Sequence, residues 1–262
     1  MIALGNTQLV VFDLDKTLAK SKQPMDDEMA GLVSLLLKSS KVAVISGGSF
    51  NQFQKQFVPK VKAGHLENLS LFPTCGAAFY KYEGGGWKNV YTEALPEENK
   101  AKIYSAFQRM FEEVGFEIPK ELYGELIEDR YTQVTFSAFG STAPLEVKEP
   151  WDPDRTKRLR MIAVLQKHLP EFEIRTGGTT SIDVTRKGID KAYGILQMEK
   201  HLGIPRQAML FVGDDLGEGG NDHPVIATGV KTLAVRDPEH TKQVIRALVD
   251  STRKKGSIDR HA

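Results

Sequence analysis

Two short apolar runs, QLVVFD at residues 8–13 and KVAVIS at residues 41–46, flank a stretch that reads as a single helix. Both runs are rich in β-branched and aromatic residues and lack apolar–polar alternation. They suit strands buried on both faces. The stretch between them, DDEMAGLVSLLLKSS, begins with acidic residues and carries Lys38 near its end, which complements the helix dipole. A shorter helix, SFNQFQKQF, follows. Strand, helix, strand, helix predicts a parallel sheet covered by helices. The same order returns late: GIDKAYGILQMEKHLG as helix, AMLFVGDD and VKTLAV as strands, PEHTKQVIRALVD as helix.

The middle has a different rhythm. AAFYKYEGGGWKNVYTEA and GELIEDRYTQVTFSAFG read as hairpins, and EFEIRTGG and TTSIDVT as strands. One helix carries Ile103, Phe107, Met110, Phe111 and Val114 on a single stripe. Another opens with Asp152 as a cap and Pro153 at its first position. The expectation is an α/β core of residues 1–81 and 187–262, with an antiparallel α+β module inserted at 82–186.

A length of 262 residues accommodates a core with an insert. A net charge of +1 gives no broad basic field, so no nucleic-acid partner is expected. The basic run RKKG at residues 253–256 reads as a solvated, frayed end. The N-terminus has no basic leader and no apolar run could span a bilayer, so no membrane partner is expected. One cysteine, Cys75, excludes an intramolecular disulfide and reads as a small buried residue; a cytoplasmic setting is expected. Oligomeric state has no signature in the sequence.

In an open parallel sheet, functional groups gather at the carboxyl ends of strands. Asp13 and Asp15 fall there after the first strand, Ser46 after the second, and Asp214 and Asp215 after AMLFVG. GDDLGEGGND then ends with Asn221 and Asp222. If the strands are neighbours, Asp13, Asp15, Asp214 and Asp222 converge. Converging carboxylates raise one another's pKa unless a cation joins them, and Mg²⁺ beside a substrate phosphate is the natural ion. Lys191 at a helix start, and the hydroxyls and amides of SGGS at residues 46–49, supply the positive side of a phosphate receptor.

Each element alone has an ordinary reading. A lone D-x-D is a turn pair, SGG a plain loop, and Lys191 a surface residue whose neighbour Lys187 could serve instead. The combination, each member at a strand end or helix start, points to phosphate chemistry. The chain has no Walker phosphate loop, dinucleotide-binding glycine motif, nucleophile elbow or zincin motif. Its six histidines show no metal-ligand spacing, and His223 reads as structural or as bordering the crevice.

Taken together, these motifs resemble the haloacid dehalogenase superfamily: DLDKTL its first motif, Ser46 the second, Lys191 the third and GDDLGEGGND the fourth. The insert between Ser46 and the lysine resembles the subclass IIB, C2-type cap. The implied fold is α/β, a Rossmann-like parallel core with an inserted α+β cap. Within that subclass VISGGSFNQFQKQF, IEDR, GGTTSIDVT followed by GIDK, and FVGDDLGEGGNDH resemble the eukaryotic phosphomannomutases. By that resemblance Arg130, Lys148, Ser181 and Asp183 would face substrate from the cap. Three positions depart from the mutase pattern: Ser141 and Lys148 stand at cap arginine positions, and Lys16 at a glycine.

The resemblance implies a mechanism. Asp13 would be the nucleophile and form an aspartyl-phosphate. Mg²⁺ would be held by Asp13, the Asp15 backbone carbonyl and Asp214. Asp15 would be general acid, then base. Lys191, Ser46 and the Gly47 amide would stabilise the transferring phosphoryl group. Asp222 would orient Lys191 or a metal-bound water, with Asn221 and Asp215 in support. The thinned set of cap cations makes a Mg²⁺-dependent phosphatase for a small phosphorylated metabolite, a sugar phosphate, the expected activity. A phosphomannomutase-type phosphohexomutase is the alternative, and a non-catalytic sugar-phosphate sensor the third reading.

Overall fold

The structure is a computed structural model describing residues 6–62 and 64–258, the stretch 252–258 as backbone alone. In chain order its elements are β1 (Leu9–Asp13), α1 (Asp27–Leu37), β2 (Lys41–Ile45), α2 (Phe50–Gln56), β3 (Leu69–Phe72), β4 (Ala78–Glu83), β5 (Gly86–Thr92) and α3 (Glu97–Val114). They continue with β6 (Ile127–Asp129), β7 (Gln133–Ser137), α4 (Leu145–Lys148), α5 (Thr156–His168), β8 (Phe172–Gly177) and β9 (Ser181–Arg186). The last are α6 (Lys191–Leu202), β10 (Met209–Gly213), β11 (Lys231–Ala234) and α7 (Pro238–Ile258). No described helix is long and apolar enough to cross a membrane.

Two compact units result: Met1–Tyr91 with Asp190–Ala262, and Thr92–Ile189. The first holds a seven-stranded sheet in the order β11-β10-β1-β2-β3-β4-β5. Strands β11, β10, β1, β2 and β3 are parallel, and β4 returns antiparallel to β3. Strict alternation along β1 sends Val10 and Phe12 into one core and Leu9 and Val11 into another. One core is completed by Met29, Val33 and Leu36 of α1 with Ile245 and Leu248 of α7, the other by Ile195 and Met198 of α6. Burial on both faces is why these strands read as unbroken apolar runs.

The second unit is a four-stranded antiparallel sheet, β6-β7-β9-β8, with one apolar face. Val134, Phe136, Ile174, Ile182 and Val184 pack with Phe107 and Phe111 of α3 and with Met161 and Leu165 of α5. The opposite face carries Gln133, Thr135, Ser137, Ser181 and Asp183.

Three expectations need correction. The boundary expected at residue 82 falls inside β4, because the β4–β5 hairpin extends the first unit's sheet rather than beginning the insert; the return boundary lies at 189/190 rather than 186/187. Asp152 is not the cap residue of α5, whose cap position is Arg155. From upstream it still accepts the Lys157 and Arg158 amides at 2.8 and 3.2 Å, and it pairs with the buried Arg158 guanidinium at 2.7 Å, which fixes that helix start. The basic run at 253–256 continues α7 as helical backbone.

Candidate active site

β1 lies between β10 and β2, so its carboxyl end is where the strand order reverses and a crevice opens. Asp13 closes β1, and Asp214 directly follows β10. Lys191, the first residue of α6, reaches into the same place: its Nζ donates to Asp13 Oδ1 at 2.6 Å and to Asp222 Oδ1 at 2.5 Å, with Asn221 Oδ1 at 3.4 Å. The lysine side chain is fully buried.

Two close approaches bring α6 there. A Cβ on Gly76 would stand 2.4 Å from the Gly194 Cα, and one on Gly194 would meet Ile45 at 2.3 Å. Only glycines let this helix sit so near the strand ends. Asp190 caps it by accepting the Tyr193 amide at 2.9 Å.

The loop after β10 is braced on itself. Asp222 Oδ2 accepts the Asp215 amide at 3.0 Å, the Asp222 amide donates back to the Asp215 carbonyl at 3.2 Å, and Asp215 Oδ2 accepts the Asn221 amide at 3.1 Å. Asp222 therefore has one oxygen on Lys191 and one on backbone. Asp214 accepts from Thr17 Oγ1 at 3.1 Å. His223 is exposed, its ring paired with the Leu216 carbonyl.

Ser46 is buried, and its Oγ accepts the Gly48 amide at 3.0 Å. The Ser46 and Gly48 carbonyls accept the Cys75 and Thr74 amides at 2.8 and 2.9 Å. Thr74 and Cys75 both adopt left-handed backbone (φ 48° and 56°), strained for a β-branched residue, and this strained turn braces the SGG loop. Cys75 is half-buried rather than buried.

Carboxylate oxygens of Asp13, Asp214 and Asp222 lie within 4.8 Å of one another. Burial pushes the Asp13 carboxyl well above its ordinary value; Lys191 offsets part of this, while Asp222 and Asp214 add to it. Burial, then Asp222, raises Asp214. For Lys191 burial opposes the charge, but Asp13 and Asp222 outweigh it and hold the ammonium above its usual range. Three carboxylates share one ammonium, a surplus of negative charge that a hard divalent ion with oxygen ligands fits.

In the second unit, Arg130 approaches Asp183 at 4.0 Å and is gripped by Glu128 through Nε at 2.8 Å and Nη2 at 2.7 Å. Asp183 accepts from Thr135 Oγ1 at 2.7 Å, and Ser181 pairs with Ser137 at 2.9 Å. Lys148 lies on α4, outside the sheet, and is buried.

The profile described as eukaryotic phosphomannomutase matches residues 29–251. The chain belongs to that family. Similar phosphomannomutases include that of Encephalitozoon cuniculi, 25% identical over 94% of this chain and 96% of its own length, and that of Spinacia oleracea, 27% identical over 89% and 92%. The IMP-specific 5′-nucleotidase 1 of Plasmodium falciparum is 22% identical over 92% of this chain and 59% of its own. A solved structure of the Plasmodium falciparum IMP-nucleotidase superposes with a TM-score of 0.68 at 18% identity, covering 95% of this chain and 64% of that one. The chain is an enzyme of the haloacid dehalogenase superfamily, in its phosphotransferase–phosphatase class.

One departure from the phosphomannomutase pattern now has a local reading. Lys16, where the resemblance implied a glycine, holds left-handed backbone (φ 62°) in the turn after β1, and its charge acts on Asp214. Several contacting residues were not singled out from sequence: Thr17, Glu128, Gln52 and Gln56. Both glutamines donate to Asp15, and their i, i+4 spacing on the helix after SGGS was the available signal.

Proposed function

We propose that this enzyme is a phosphohexomutase of the phosphomannomutase type, transferring a phosphoryl group through Asp13. The supporting observation is that relatives spanning nearly the whole chain carry that name, on a core where the strand-end Asp13 sits against a buried lysine. Asp13 attacks phosphorus as the ester P–O bond breaks, and Asp15 gives a proton to the leaving oxygen. In the second half a sugar hydroxyl attacks the phosphoaspartate, Asp15 takes its proton, and the bond from Asp13 to phosphorus breaks. Lys191 and the SGG amides carry the phosphoryl oxygens, and Asp222 keeps Lys191 aimed. The Asp13 and Asp214 carboxylates with the Asp15 carbonyl would hold Mg²⁺. Once bound, it supplies charge neutralisation between carboxylate and phosphate. The second unit would serve as the specificity cap.

Hydrolysis is the second reading, with water in place of the sugar hydroxyl. The Glu128 grip on Arg130 favours it, because it takes up a cation that a second phosphate would need, and so does the nucleotidase relative. A panel of hexose phosphates, assayed for isomerised product and free phosphate with and without a hexose bisphosphate, tests the choice. Isomerisation outrunning release is the expected result; release alone makes the enzyme a phosphatase.

A further inference from the structure

The Asp15 side chain makes no contact with Lys191 or Asp222; it is held from the other side, by α2. Gln52 Nε2 donates to Asp15 Oδ2 at 3.0 Å, and Gln56 Nε2 donates to Asp15 Oδ1 at 3.1 Å. The two glutamines are tied together, Gln52 Nε2 to Gln56 Oε1 at 2.8 Å. Gln56 is almost fully buried, and its backbone carbonyl accepts the Met25 amide at 2.9 Å. Gln52 is keyed to the SGG loop: a Cβ on Gly48 would stand 2.2 Å from Gln52 Oε1. Helix, loop and Asp15 are thus fixed in one register.

The two oxygens of Asp15 are not equivalent. Oδ1 accepts both the Lys22 amide at 2.6 Å and Gln56, whereas among the described residues Oδ2 accepts Gln52 alone. A carboxylate oxygen offers two acceptor positions. Oδ1 is filled and Oδ2 keeps one open.

We infer that Gln52 and Gln56 are positioning residues that lock the Asp15 carboxylate so that Oδ2 is the atom exchanging protons with the substrate. This rests on the phosphoryl-transfer reading above. In the first half-reaction the proton on Oδ2 passes to the ester oxygen as its bond to phosphorus breaks. In the second, Oδ2 takes the proton of the attacking hydroxyl or water as the bond from Asp13 to phosphorus breaks. The amides donate hydrogen bonds throughout and transfer no proton.

A merely structural tie would lower activity on every substrate alike. A positioning role depends on the leaving group. Gln52→Ala and Gln56→Met are compared with wild type on p-nitrophenyl phosphate, whose leaving group needs no proton, and on a hexose phosphate. Gln54→Ala, on the exposed side of α2, is the control. The expected result is a roughly ten- to hundredfold loss of kcat/KM on the hexose phosphate, a parameter that reads only the steps through formation of the phosphoaspartate. On the aryl ester the loss of kcat/KM stays within about threefold, and the control is unchanged on both. Asp15→Asn runs in parallel. If it loses both esters equally, or wild type turns over neither, the proton role fails and the inference with it. If Asp15→Asn discriminates between the esters and the glutamine variants do not, the inference alone is overturned. Should Gln56→Met melt at the assay temperature, Gln52→Ala, at a half-buried position, decides by itself.

Discussion

Thr17 Oγ1 donates to Asp214 Oδ1 at 3.1 Å, joining residues 197 positions apart. This bond ties the turn after β1 to the loop after β10, the two segments that carry the candidate metal ligands. It also gives the threonine of DLDKTL a physical task, since it fixes one oxygen of a buried carboxylate whose neighbours repel it.

Asp13→Asn should remove turnover by a thousandfold or more, roughly the scale of losing a nucleophile, while the melting temperature shifts by only a few degrees. Steady-state kinetics beside a thermal melt checks both. Retained Mg²⁺-dependent turnover would take Asp13 out of the reaction.

Chelation should abolish activity, and Mg²⁺ should restore it. Independently of activity, Mg²⁺ should raise the melting temperature of wild type, because a ligand that binds only the folded chain stabilises it. Asp214→Asn should lose most of that rise. A variant that still responds in full would place the ion elsewhere.

The raised carboxyl of Asp214 has a signed consequence. Burial, then Asp222, makes the folded state bind this proton more tightly than the unfolded chain does. Ionising it therefore costs stability, a cost present above the raised value and gone as pH falls to the ordinary 3.8. In chelator, Asp214→Asn should melt above wild type near neutral pH, and the gap should close as pH falls toward 3.8. A constant gap across that range would contradict the account.

Lys191→Met should cost about 3–5 kcal/mol in urea unfolding, since it leaves Asp13 and Asp222 buried without their ammonium. Adding Asp222→Asn should recover part of the loss. Additive losses would mean that the lysine acts through its packing alone.

Much of the first unit was legible because its strands are buried on both faces, so the runs at β1, β2 and β10 stand out, and the carboxylates follow them directly. β3 was missed: Leu69–Phe72 is four residues long and leads into FPTCG, where no periodicity develops. The β4–β5 hairpin was misassigned because hairpin patterning says nothing about which sheet receives it. At the site, Asp13, Lys191, Asp214 and Asp222 come together, whereas the Asp15 carboxylate, expected to join them, is held by Gln52 and Gln56 of α2. Gln52 and Gln56 were hidden because a glutamine on a short helix looks solvated until its partner 37 or 41 residues earlier is known. The Glu128–Arg130 pair was equally hidden, since i, i+2 neighbours in a hairpin signal no ion pair until the turn geometry is fixed.

The most direct test is to quench the enzyme during turnover of a hexose phosphate with Mg²⁺ present and map the phosphorylated peptide by mass spectrometry. One base-labile, hydroxylamine-cleavable phosphoryl group is expected on the Asp13 side chain, lost in Asp13→Asn. A phosphoryl group on any other residue, or continuing turnover with Asp13 never labelled, would contradict the account.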